Sequence, residues 1–299
     1  MVQNHNHNHY HANNSSSSRL AWAFFLNFAF TIIEFVGGVL TNSTAILADA
    51  VHDLGDSFSL GVAWALNKLG KKQADPQLTY GYKRLNLVGA FINALVLIIG
   101  SAWVLIEAVP RLWDPQMPVA DGMIGLAVFG IAVNGFAAYK LSQGTTLNER
   151  VINWHLLEDV LGWVAVLIVG TVLLFVDWPI LDPILSIGFT LFILFNVLRN
   201  LWATLKLFIQ ATPDKQTYQS IADSLLSLAN VAEVHHLHFW SLDGEEHVLT
   251  AHLVLSEILE PEAHDELKKN VDLVLSPYKL SHTTIEFEYP NEICRDRCS

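Results

Sequence analysis

The chain has 299 residues, of which 52% are hydrophobic and 15% charged, and its mean hydropathy is +0.35. Soluble domains carry about 25% charged residues, so a wholly soluble protein is all but excluded. The formal net charge of −12 argues against a general nucleic-acid binder, which needs a basic surface. Two cysteines cannot make a disulfide scaffold of this chain.

Residues 1–18 are polar and repetitive and hold no apolar run, so they read as a disordered tail and not as a signal peptide. His5, His7, His9 and His11 alternate with Asn or Tyr there. His-rich tracts collect metal, although a solvated tail would look the same. From Arg19 to about residue 209 the chain is mostly apolar. A spanning helix needs about 20 apolar residues. Six stretches qualify, near 20–40, 44–67, 86–109, 118–143, 152–176 and 180–205. The second and fifth carry charges in their middles.

Lys and Arg set the orientation. Lys68, Lys71, Lys72, Lys83 and Arg84 lie between spans two and three, and Lys140 and Arg150 between four and five. Arg19 precedes span one, and Arg199 and Lys206 end span six, whereas the opposite side holds only Arg111. The positive-inside rule then places both termini in the cytoplasm. Residues 213–299 carry sixteen acids against six basic residues and have a soluble pattern. A helix is expected over 216–229, strands over 233–241 and 246–255 joined at Asp243-Gly244, a helix over 261–275 and a strand over 283–289. The order αββαβ predicts an α+β sandwich with helices on one face of a three-stranded sheet. Domains are expected over 1–18, 19–210 and 211–299.

Ionisable side chains inside a span are costly and mark function. In span two, His52 and Asp56 are four apart and share a helix face with Asp49, and Asp53 lies about a quarter-turn away. In span five, His155 and Asp159 repeat the H-x-x-x-D spacing beside Glu158. If the two faces meet, His52, Asp56, His155 and Asp159 make an N2O2 shell suited to tetrahedral Zn2+. Imidazole disfavours hard cations such as Mg2+. Satisfied His–Asp hydrogen bonds or a proton relay are the structural alternative. Asp49, Asp53 and Glu158 read as groups that orient the histidines or pack the helices. Neither pair fits H-E-x-x-H, so a zinc protease has no support.

The stretches EFVGGVLTNSTAILADAVHDLGDS, YGYKR, IEAVPRL, WHLLEDVLGW, VHHLHFWSL and TTIEFEYP resemble the cation diffusion facilitator family, in its zinc-transporting branch. The resemblance covers all but the His-rich start. It implies an α-helical integral membrane protein with six transmembrane helices, bearing a C-terminal α+β ferredoxin-like cytoplasmic domain. It also implies a homodimeric metal/proton antiporter that exports Zn2+, with Cd2+ and Co2+ as secondary substrates. The transport ligands would be His52, Asp56, His155 and Asp159. Two features depart from the family. The loop after span two has Asp75 as its only acid and no histidine, which argues against a second site there. The loop SQGTTLNER is short and lacks histidine, so the tail histidines would take over metal collection.

Strand alternation puts His236, His238 and Trp240 on one face and His235 and Phe239 on the other. By the resemblance, His235 and His252 are the best metal ligands of the C-terminal domain, with Glu286 or Glu288 adding a carboxylate. His264 and His282 read as solvated. Cys294 and Cys298, spaced C-x-x-x-C, fit a zinc site, but terminal thiols are more often unligated. No resident cofactor is expected; Zn2+ enters as substrate and as a regulatory ligand. The expected partners are the divalent cation, protons, lipid and a second copy of the chain. The expected place is a bacterial inner membrane. A membrane metal sensor without transport is the alternative, and a metal-dependent membrane enzyme a weaker one, since a full four-ligand shell leaves no open position.

Overall fold

The computed structural model describes residues 12–69, 74–141 and 147–295, with side chains over 21–65, 74–139 and 157–295. Six long helices come first: α1 (Ala12–Thr41), α2 (Thr44–Leu69), α3 (Leu85–Ala108), α4 (Ala120–Leu141), α5 (Leu147–Phe175) and α6 (Leu181–Phe208). α1, α3, α4, α5 and α6 each contain a stretch long and apolar enough to cross a membrane. α2 is of similar length, but Asp49, His52, Asp53 and Asp56 interrupt its apolar run. It is the sixth span of a multi-pass membrane protein, and its charges are what a hydropathy window penalises.

The turn between α1 and α2 is only two residues long. Asn42 takes the left-handed conformation (φ 51°) that ends many helices. The Ser43 amide donates back to the Gly38 carbonyl at 3.0 Å. α2 then starts on a buried carboxylate. Asp182, at the start of α6, accepts from the Ser43 hydroxyl (2.5 Å), the Thr44 amide (2.7 Å), the Thr44 hydroxyl (2.8 Å) and the Ala45 amide (3.3 Å). The first turn of a helix leaves N–H groups unpaired and partly positive. One anion therefore satisfies the start of α2 while sitting in the first turn of α6. Ser186 closes the contact by donating to the Thr44 carbonyl at 2.9 Å. At the same end, Arg111 donates to the Asn42 carbonyl at 2.9 Å and to Glu107 at 2.7 Å.

Along its length α2 packs on α1, and α4 packs on α5. Asn27 of α1 donates to the Asp53 carbonyl at 3.2 Å and to the Ser57 hydroxyl at 2.9 Å. Trp163 of α5 is fully buried in a cluster with Phe30, Ile46, Met123 and Val166.

The C-terminal domain contains α7 (Lys215–Leu226), β1 (Val231–Ser241), β2 (His247–Leu255), α8 (Pro261–Leu275) and β3 (Leu280–Glu288). All five expected elements are present, with boundaries shifted by a few residues. The sheet order is β1-β2-β3, antiparallel between β1 and β2 and parallel between β2 and β3. Ile221 and Leu225 of α7 and Leu267, Val271 and Leu275 of α8 bury against Phe239, Leu249, Ala251 and Leu253 of the sheet. This is the expected sandwich, with helices packed on a sheet. α7 is capped by Asp214, whose carboxylate accepts from the Thr217 hydroxyl and amide at 2.7 Å each; these bonds hold it below the usual carboxylate range. The β1–β2 turn is longer than a two-residue hairpin. Gly244 lies at φ 102°, and Asp243 accepts from the amides of Glu245 and Glu246 at 2.9 Å each.

The described chain falls into two compact units: residues up to Lys71 with Gly89–Leu201, and Lys72–Val88 with Trp202 onward. The second unit therefore takes in the loop before α3. Lys83 pairs there with Glu246, and Tyr80 meets the exposed His282 edge-on at 4.8 Å between ring centres. His282 thus has a packing role beyond solvation.

Gly130 of α4 faces Trp163, whose ring atoms would lie 2.4–2.7 Å from an added Cβ. Gly130→Ala should therefore destabilise the detergent-solubilised protein by about 1–3 kcal/mol. Gly125→Ala, with nothing within 4 Å of the new methyl, should not. Thermal unfolding of the two variants checks this, and equal behaviour would refute the packing argument.

Candidate functional site

α2 and α5 bring charged groups of different helices together. His52 Nε2 lies 3.7 Å from Asp56 Oδ2, one turn along α2, and 3.9 Å from Asp159 Oδ1 of α5. Those separations are too long for direct hydrogen bonds. They place His52 between a carboxylate of its own helix and one of α5. The three side chains keep 22%, 27% and 10% of their exposure, so the cluster is lined by protein and still open. The side chain of His155, the fourth residue expected here, lies outside the described ones.

The supporting carboxylates separate into two groups. Asp49 and Asp53 are buried, at 8% and 5% exposure. Glu158 is exposed and does not share that buried face. A further acid, Glu34 of α1, is completely buried. Neither of its carboxyl oxygens meets an N–H or O–H donor among the described residues, and it faces the Asp53 carboxyl. Two facing carboxyls bond only when a proton lies between them. Sequence reading passed over Glu34, although an acid inside an otherwise apolar span is the signal that singled out α2. Asp182 escaped notice in the same way.

Asp75 is used by its own loop. Oδ1 accepts from the Gln77 and Leu78 amides at 2.9 Å each, and Oδ2 from the Tyr82 hydroxyl at 2.5 Å. That is an Asx-type turn.

The C-terminal domain holds a second cluster. His235 of β1 stands opposite His252 of β2, which stands opposite Glu286 of β3. Glu288 lies two residues further along β3, on the same face of the strand. Its carboxylate bridges both rings, reaching His235 Nε2 at 2.8 Å and His252 Nδ1 at 2.7 Å. Burial alone would push the Glu288 carboxyl up. Hydrogen bonds with His235, His252 and Cys294 outweigh it and hold the group below the usual carboxylate range. Glu286 is further off, 3.7 Å from His252 Nε2, and is paired with Arg295 at 2.8 Å.

Simple alternation fails on β1. A register shift falls between His235 and His238, and His236 is left-handed (φ 47°). Such a conformation costs a non-glycine residue about 1–3 kcal/mol. The bulge sets the His236 ring 5.0 Å from the rings of both His235 and His252, beside residues that alternation puts on the other face. His264 packs edge-on against Phe287 at 5.0 Å. His5, His7, His9, His11 and Cys298 lie outside the described residues.

Residues 20–209 match the family model of the cation efflux transmembrane domain, and residues 213–289 match that of the cation efflux protein cytoplasmic domain. The chain belongs to the cation diffusion facilitator family. Among its relatives is the zinc transporter ZitB of Pectobacterium atrosepticum, 34% identical over 94% of this chain and 88% of that one. The cadmium, cobalt and zinc/H(+)-K(+) antiporter of Bacillus subtilis is 30% identical over 89% of this chain and 86% of its own. The metal cation efflux system protein CzcD of Cupriavidus metallidurans is 31% identical over 88% and 84%. In this cation diffusion facilitator the α2–α5 cluster lies within the matched transmembrane domain.

The Glu34–Asp53 contact can be tested alone. Glu34→Gln keeps the volume and supplies an N–H for Asp53, so its melting temperature in detergent should match or exceed that of the wild type. Glu34→Ala opens a cavity and should cost about 2–3 kcal/mol. Equal losses in both variants would show that this contact does not set local stability.

Proposed function

We propose that the protein is a divalent cation/proton antiporter that exports Zn2+ from the cytoplasm, with Cd2+ and Co2+ as secondary substrates. The observation that carries the reading is the approach of His52 and Asp56 on α2 to Asp159 on α5. Ionisable residues of two helices approach one another there, within a family of cation efflux proteins. The names of the relatives support the metal: zinc for ZitB, and cadmium, cobalt and zinc, exchanged for both H+ and K+, for the Bacillus antiporter.

In this mechanism His155, one turn before Asp159, completes the shell. The two carboxylates neutralise the ion, and the two imidazoles give the site its preference for Zn2+ over Mg2+. Metal binds neutral imidazole and ionised carboxylate, so protons compete with it for the same atoms. Imidazole exchanges protons near neutral pH. A site that reaches the far side loaded with metal can therefore return loaded with protons. A movement of α2 against α5 would change which side the site faces while its ligands stay together. Asp49 and Asp53 orient the ligand face from within the bundle. Both termini lie in the cytoplasm of a bacterial cell, the inner membrane holds the chain, and two copies work as a dimer. The His-rich start gathers cations near the entrance.

Zn2+ uptake into proteoliposomes under an imposed pH gradient tests the proposal. Wild type should show gradient-driven flux, and Asp159→Ala should fall to the level of empty liposomes. Flux that survives in Asp159→Ala would move the transport site elsewhere. Tight Zn2+ binding by the wild type without flux would favour a membrane metal sensor.

A further inference from the structure

We infer that Glu34 of α1 is a positioning residue for cation binding: through Asp53 it anchors the rotation of α2, and so sets where His52 and Asp56 stand against α5. The inference rests on the transport reading of the α2–α5 cluster. α2 packs along its length on α1 and meets α5 at few points. The direction in which α2 presents His52 and Asp56 is therefore decided mainly by its contacts with α1. Those contacts use a stripe of their own. A helix turns about 100° per residue, so Asp53 lies about a quarter-turn from His52, and Ser57, four residues after Asp53, continues its stripe.

Three polar residues of α1 meet that stripe: Asn27, Thr31 and Glu34, spaced by four and then three residues, as one helix face requires. Asn27 donates to the Asp53 carbonyl at 3.2 Å and to the Ser57 hydroxyl at 2.9 Å, and the Thr31 hydroxyl lies 3.4 Å from that of Ser57. Glu34 faces the Asp53 carboxyl. Thr31, Glu34, Asp53 and Ser57 are each at most 5% exposed. Around them the contact is apolar, as where Phe24 stacks on Trp64 at 6.4 Å between ring centres. Apolar contact is non-directional, and in lipid no hydrophobic force favours one rotation of a helix over another. Hydrogen bonds have a preferred geometry, so the polar stripe is what fixes the angle of α2.

The angle matters because of the lever arm. A helix with its side chains is about 10–12 Å across, so a rotation of about 20° carries an atom at its rim by about 2 Å. Metal–ligand distances tolerate only about 0.2 Å. Of the three α1 residues, Glu34 meets the side chain next to His52 in sequence, and so holds the ligand-bearing stretch most directly. The position needs a group that donates to Asp53, which a protonated carboxyl or a side-chain amide can supply and an alkyl group cannot.

Zn2+ flux into proteoliposomes, resolved into KM and maximal rate, supplies the test, with the folded fraction of each variant taken from its melting curve. Glu34→Leu has a similar volume and no donor. It should raise KM for Zn2+ about tenfold, the lower end of what disturbing the groups behind metal ligands costs. Glu34→Gln should keep KM within about twofold of wild type, because its amide donates to Asp53. Asn27→Leu removes the neighbouring bonds to α2 and leaves both carboxyls in place. It should raise KM in the same direction, and it carries the test if Glu34→Leu does not fold. A group that served packing alone would lower the maximal rate through loss of folded protein and leave KM unchanged. That result in the two leucine variants overturns the inference, as does a KM in Glu34→Gln as high as in Glu34→Leu. Flux that survives in Asp159→Ala would overturn the transport reading and this inference with it. Flux lost in Asp159→Ala beside a wild-type KM in Glu34→Leu overturns the positioning role alone.

Discussion

Charge placed in a low-dielectric bundle must be offset where it stands, and α2 carries most of that burden. It bears Asp49, His52, Asp53 and Asp56 within a single span. The helix is secured from both sides. Asp182 meets its first-turn amides and hydroxyls with an anion, and the partial positive charge of a helix start favours that placement. Asn27 and Thr31 of α1 then meet Ser57 along its length. These fixed polar contacts leave the His52–Asp56 face without a tight hydrogen bond between its own two groups. The same helix therefore combines a structural anchor at its start with a concentration of ionisable groups along its length.

Glu34 sharpens the same point. A fully buried acid facing Asp53 adds a third carboxyl to the Asp49–Asp53 side of the bundle. Buried carboxylates without partners are far more costly than the few kcal/mol by which a protein is stable. Three carboxyls packed together inside the bundle therefore depend on the groups around them for compensation. Packing contributes rigidity, as in the fully buried Trp163 that α5 sets against Gly130 of α4.

Much of this was legible in the sequence, and the illegible parts share a cause. The six spans, the αββαβ order and the two H-x-x-x-D pairs follow from periodicity and from the cost of intramembrane charge. The α2–α5 approach brings His52 to Asp159, as equal spacing on two helices invites. Glu34 and Asp182 were readable by the same rule, but each is a single acid with no neighbour to form a motif. His236 was not readable, because alternation assumes a regular strand and the bulge inserts a residue. The position of Cys294 depends on the turn after β3 and on the Arg295–Glu286 pair, which strand pattern does not reveal. Local pattern predicts elements, whereas chain reversals decide which distant donors meet.

The two clusters are carried by different kinds of backbone framework. At His52 Nε2 the nearest oxygens of Asp56 and Asp159 stand 3.7 and 3.9 Å away, beyond hydrogen-bonding distance. Side chains carried on two separate helices can be parted by sliding one helix past the other. In the C-terminal domain Glu288 already bonds both histidines, at 2.7 and 2.8 Å. Those three residues sit on adjacent strands of one sheet, where backbone pairing fixes their spacing. A sheet cannot slide its strands without losing its ladder, and a one-residue slip would turn every side chain to the other face. A helix pair can therefore change the spacing of its ionisable groups, whereas a sheet holds that spacing fixed.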